Sequence, residues 1–147
     1  MKFVPHLWGS LVVVYLAGTA PCGALQFVNG ASGSCIEVRG GNVTDGTPID
    51  IYPCTGSPNQ NWTVSAGQIT GIGGSCLDVK VARASASSAA ILAPCNGRPS
   101  QKWSFSNGQI VGIGGGCLDV KGGGQVNDTP LKLVRCTAAQ SQQWIVQ

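Results

Sequence analysis

The sequence is short of charge, aromatic residues and histidine, and each shortage removes a class of function. Only 10% of its 147 residues are charged, 6% are aromatic, and His6 is the single histidine. The cations Lys80, Arg83, Lys102, Lys121 and Arg135 are scattered and form no basic stripe, so no nucleic-acid partner is expected. The apolar stretch from Leu7 to Ala20 holds 14 residues, short of the roughly 20 that a membrane-spanning helix needs. No membrane insertion is expected. No G-x-S-x-G elbow occurs, and none of the seven cysteines forms a C-x-x-C pair. Neither a nucleophile elbow nor a zinc site is therefore expected, and no metal or cofactor is called for. A glycosidase would need two carboxylates about 5–10 Å apart. Glu37 with Asp50 is the candidate pair, on an open surface with nothing to keep water out, so catalysis is not expected.

The amino-terminal end has its own grammar. Lys2, the apolar stretch and the small residues up to Cys22-Gly23-Ala24 follow the order of a secretory signal peptide. Residues 1–24 are expected to be removed, leaving a secreted, extracellular chain of residues 25–147. Cys22 leaves with the signal, and six cysteines remain: Cys35, Cys54, Cys76, Cys95, Cys117 and Cys136. An even number in an exported chain points to disulfides.

Those six fall in a strict register. Cys35, Cys76 and Cys117 recur every 41 residues, as do Cys54, Cys95 and Cys136, and as do the tripeptides ending in Trp62, Trp103 and Trp144. GQITGIGGSCLDVK (67–80) and GQIVGIGGGCLDVK (108–121) differ at two of fourteen positions, whereas QFVNGASGSCIEVR (26–39) has diverged further. The mature chain thus divides into repeats 25–65, 66–106 and 107–147. Each repeat carries four short β-like runs between Gly, Pro, Asn and Ser turns, giving twelve strands and an all-β class. The serine-rich stretch Ala82–Ala90 lacks a helical period and reads as a long hairpin loop. A 41-residue unit cannot sustain a core alone. Closure of three units about a threefold axis buries their apolar faces and removes open strand edges. Equivalence of the units favours the pairings Cys35–Cys54, Cys76–Cys95 and Cys117–Cys136, and gathers the three tryptophans in one core.

The Gln-x-Trp signature near the end of each repeat, with Cys-Leu-Asp-Val earlier in it, resembles the ricin B-type lectin domain over the whole mature chain. The resemblance implies a β-trefoil with pseudo-threefold symmetry. It also implies binding of glycans, galactose-type sugars or polysaccharides, in up to three shallow pockets. In that family the pocket uses the Asp of Cys-Leu-Asp-Val, an aromatic two residues before the second cysteine, and an Asn-Gln pair opening Gln-x-Trp. Transferred to this sequence, the first repeat offers Tyr52, Asn59 and Gln60, with Asp50 on the same strand face as Tyr52, but Glu37 stands in place of Asp. The second repeat keeps Asp78 and Gln101 but has Ala93 and Ser100; the third keeps Asp119 and Gln142 but has Val134 and Ser141. The tryptophans read as scaffold; Gln101 and Gln142 read first as partners of buried backbone and Asp78 and Asp119 as turn-closing residues, with these four kept as weaker candidates for sugar contact. Tyr52, the one tyrosine of the mature chain, reads as a sugar platform. The expectation is a lectin with one working pocket, in the first repeat. The competing reading is a protein-binding trefoil, an inhibitor or effector, using Ala82–Ala90 as its contact surface. Sequons occur at Asn42, Asn61 and Asn127, and a glycan on Asn61 would crowd that pocket.

Overall fold

The computed structural model describes residues 24–81 and 87–147. The expected leader, apart from Ala24, and residues 82–86 of the expected hairpin loop lie outside the described residues. Twelve strands follow in three sets of four. The first set is β1 (Phe27–Asn29), β2 (Cys35–Val38), β3 (Ile49–Tyr52) and β4 (Thr63–Ser65). The second is β5 (Gln68–Thr70), β6 (Cys76–Val79), β7 (Ser88–Ala93) and β8 (Ser104–Ser106). The third is β9 (Gln109–Val111), β10 (Cys117–Val120), β11 (Leu131–Val134) and β12 (Trp144–Val146). β7 begins at Ser88, so the last residues of the stretch read as loop are strand. The reason is tertiary: Ser88 and Ala89 pair with Leu133 and Lys132 of β11, a partner in another repeat that the local sequence cannot announce.

Two kinds of hairpin build the molecule. The last strand of one set pairs with the first strand of the next: β4 with β5, β8 with β9, and β12 with β1. The turns Ala66-Gly67 and Asn107-Gly108 join the first two of these pairs with positive φ at both residues. That is the two-residue turn whose twist matches the flanking strands. Within each set the ring closes through the tryptophan backbone. The Trp62 N–H donates to Leu25 O, that of Trp103 to Gly67 O, and that of Trp144 to Gly108 O. The inner hairpins β2–β3, β6–β7 and β10–β11 form the second layer and meet each other. β7 pairs with β11, and β3 exchanges backbone hydrogen bonds between Ile51 and both Asp128 and Thr129.

Alternation along the inner hairpins sends one face inward. Ile36, Val38, Ile49 and Ile51 are buried and join Leu77, Leu118, Leu133 and all three tryptophans in one cluster. Each indole N–H donates to a strand carbonyl at the same place in its repeat: Trp62 to Ile36, Trp103 to Leu77 and Trp144 to Leu118, at 3.0–3.1 Å. A fully buried tryptophan needs such a partner, and here the partner is structural. Disulfides join Cys35–Cys54, Cys76–Cys95 and Cys117–Cys136 with Cα separations of 4.9–5.0 Å. Each ties the start of an inner hairpin to the turn beyond its end, so the segment that carries the Gln of Gln-x-Trp cannot drift from the strands beneath it.

Candidate functional site

The repeated glutamine is the keystone of each site. It closes a single 3₁₀ turn, Pro58–Gln60, Pro99–Gln101 or Gln140–Gln142, and is fully or almost fully buried. Gln60 Oε1 accepts from the Thr55 and Gly56 N–H groups, while its Nε2 donates to Pro53 O at 2.9 Å and to Glu37 Oε2 at 3.1 Å. Gln101 repeats this with Asn96, Pro94 and Asp78, and Gln142 with Thr137, Arg135 and Asp119. One side chain thus satisfies the loop after the second cysteine and fixes the carboxylate of the inner hairpin.

The carboxylates differ in what remains free. Asp78 Oδ1 accepts its own neighbour's N–H, from Val79 at 2.7 Å, and Asp119 Oδ1 accepts that of Val120 at 2.7 Å. With Oδ2 held by glutamine, both oxygens of each aspartate already have a protein partner. Glu37 is one methylene longer and makes no such local bond among the described residues. Only its Oε2 is engaged, by Gln60. The longer side chain carries the carboxylate past its own backbone N–H and leaves its other oxygen without a protein partner among the described residues.

The first repeat also holds a cavity of about 400 Å³ over this carboxylate. Glu37, Tyr52 and Asn59 line it, three of the five residues expected there. Tyr52 is 37% exposed, whereas Ala93 at the equivalent position is 9% exposed and offers no ring. Asn59 Nδ2 donates to Val38 O at 3.0 Å, which fixes the amide and leaves its carbonyl oxygen for a hydroxyl donor. The other two expected residues play supporting parts. Gln60 lies beneath the cavity and reaches it only through Glu37. Asp50 is fully buried opposite Glu37 in the β2–β3 pair, and is not among the lining residues. Its Oδ2 accepts from Arg39 Nε at 2.6 Å. Burial pushes the Asp50 carboxyl up to about 6, against the pull of Arg39. Alternation put Asp50 on the strand face of Tyr52, but the two differ in exposure, Asp50 being buried in its ion pair with Arg39 while Tyr52 is open.

Gly40, Thr55, Ser57 and Asp128 complete the lining. Thr55 and Ser57 follow Cys54 in the turn that Gln60 holds, a position adjacent to the Asn-Gln pair that sequence inspection could have included. Asp128 had no such signal. It belongs to the third repeat and arrives through its backbone N–H bond to Ile51 O at 2.8 Å and the Arg39 guanidinium on its carbonyl at 2.9 Å.

Comparison with known proteins agrees with the fold. The family model described as the ricin-type beta-trefoil lectin domain matches residues 23–144. Nigrin b of Sambucus nigra is 50% identical over 34 residues, which are 23% of this chain and 6% of Nigrin b. The designed threefold-symmetric protein ThreeFoil superposes with a TM-score of 0.78 at 24% identity, covering 84% of this chain and 97% of its own. The C-half of an earthworm R-type lectin, solved in complex with GalNAc, gives 0.75 at 16% identity, covering 85% and 98%. At such identities these two structures are likenesses of fold, and the family assignment rests on the match across most of the chain. The chain is a member of the ricin-type β-trefoil lectin family.

Proposed function

We propose that this protein is a secreted, non-enzymatic lectin that binds one galactose-type sugar unit, free or at the end of a polysaccharide, in the first-repeat cavity. The observation that carries the reading is the convergence of Tyr52, Asn59 and the free oxygen of Glu37 on one cavity. A pyranose has an apolar face and an edge of neighbouring hydroxyls. Tyr52 supplies a flat surface for the first, and Glu37 with Asn59 supplies acceptors for the second. The earthworm lectin's GalNAc complex gives the galactose configuration as the first sugar to try.

The second and third repeats serve as scaffold in this reading. Asp78 and Asp119 each have a protein partner on both oxygens, and Ala93 and Val134 provide no ring. A single shallow, wet site implies weak affinity, with Kd near 1 mM or about −4 kcal/mol. Glycan binding on an array, followed by titration of the best sugar against wild type, Tyr52→Ala and Glu37→Gln, tests it. Binding lost in both variants supports the proposal. No binding to any glycan, or binding indifferent to both changes, rejects it. A partner protein captured in the presence of competing sugar would then favour the protein-binding alternative.

A further inference from the structure

We infer that Glu37, Asp50 and Asp128 form a binding site for one divalent cation, of which calcium is the best fit. One carboxylate oxygen from each of the three lies within 4.8 Å of the other two. Two strands and a loop from another repeat create this arrangement. Glu37 and Asp50 face each other across β2 and β3, and the Asp128 backbone is pinned to β3 and to Arg39. The other repeats cannot form it, because Asp78 and Asp119 face Ile91 and Lys132 instead of a second carboxylate.

A second feature points to a ligand. Asp50 Oδ1 is buried and has no hydrogen-bond partner, the one such side-chain atom among the described residues. A buried carboxylate oxygen left unpaired is costly, and Arg39 is already committed to Oδ2. Three carboxylates beside one guanidinium leave a formal charge of −2, which a divalent cation neutralises. The donors are hard oxygens with neither histidine nor thiolate, which selects calcium or magnesium over zinc or copper. Calcium tolerates irregular sets of six to eight oxygens and completes its shell with water, whereas magnesium demands near-octahedral order. Glu37 and Asp128 also line the open cavity, so the ion has an entry path and room for those waters.

Bound there, the ion would tie the third repeat's loop to the first repeat's hairpin. The ion would share Glu37 and Asp128 with the proposed sugar cavity, so calcium is titrated without sugar, and sugar with calcium chelated, which lets either reading fail separately. The test uses the folded, chelator-treated chain, titrated with calcium alone by calorimetry and followed by thermal unfolding. One calcium per chain is expected, with a rise in Tm at saturation and weaker binding of magnesium. Asp128→Asn should weaken calcium binding at least tenfold without lowering the calcium-free Tm, since Asn tolerates the positive φ of 66° at this position and relieves repulsion within the cluster. Asp50→Asn should abolish binding. Absence of binding and of any Tm shift at about 10 mM calcium, or binding that Asp128→Asn leaves intact, would overturn the inference.

Discussion

Replacing Gln101 by alanine should destabilise the fold by about 2–4 kcal/mol, and the same change at Gln60 should add a functional loss that Gln101→Ala does not show. The magnitude follows from the bonds removed. Gln101 is fully buried, accepts from the Asn96 N–H at 2.8 Å, and donates to Pro94 O at 2.8 Å and to Asp78 Oδ2 at 3.0 Å. A neutral bond contributes about 1 kcal/mol and one to a charged group about 1.5–3 kcal/mol. Water entering the truncated space recovers part of that sum. Gln60 makes the equivalent set, so its stability cost should be similar. It also fixes Glu37, and Gln60→Ala should weaken sugar binding tenfold or more, whereas Gln101→Ala should leave it within twofold. Urea unfolding followed by tryptophan fluorescence, with disulfides intact and equal m-values, reads the first effect; sugar titration reads the second. A cost below about 0.5 kcal/mol for Gln101→Ala would show that the glutamines do not hold the loops. Equal loss of sugar affinity in both variants would show that the site is not confined to the first repeat.

Gly71→Ala should cost about 1–3 kcal/mol by overpacking. Its backbone is extended, so no conformational penalty arises, but the new Cβ would stand 2.6 Å from Trp62 Cζ3; an unchanged Tm would refute the tight seat assigned to that ring. Replacing Cys76 and Cys95 together by alanine should remove about 3 kcal/mol, the chain-entropy value for a loop of this size with a sequence separation of 19, while sugar affinity in the first repeat stays unchanged. With calcium chelated, Asp50 should make stability fall as pH rises. Burial raises its pKa from the ordinary 3.8 to about 6, so its contribution is fully present below pH 3.8 and lost through pH 6, on the order of 2–3 kcal/mol. The pH dependence of unfolding in wild type against Asp50→Asn isolates that slope, and identical slopes would refute the assignment.

The repeat made most of the architecture legible. Cysteine and tryptophan positions at a fixed period are equivalent in a closed threefold molecule, which favoured the disulfide pairs found and a common role for the indoles. What stayed hidden depends on contacts between repeats. Nothing local marks Ser88 as strand, because its partner is Leu133. Alternation with Tyr52 could not show that Asp50 is buried, because its salt-bridge partner is Arg39. Asp128 reaches the first-repeat cavity only after the chain has closed on itself. Glu37 read as a departure from the family's aspartate; the structure shows that its added methylene forgoes the local bond that Asp78 and Asp119 make to the next backbone N–H.

A ¹H–¹⁵N correlation titration with galactose or GalNAc would locate a bound sugar on the protein residue by residue. Millimolar, saturable shifts are expected only around the first-repeat cavity, at Gly40, Tyr52, Thr55 and Asn59, with the loops around Asp78 and Asp119 unmoved. Shifts centred on Asp78–Gln101 or Asp119–Gln142, or none at sugar concentrations well above 1 mM, would contradict a first-repeat sugar site.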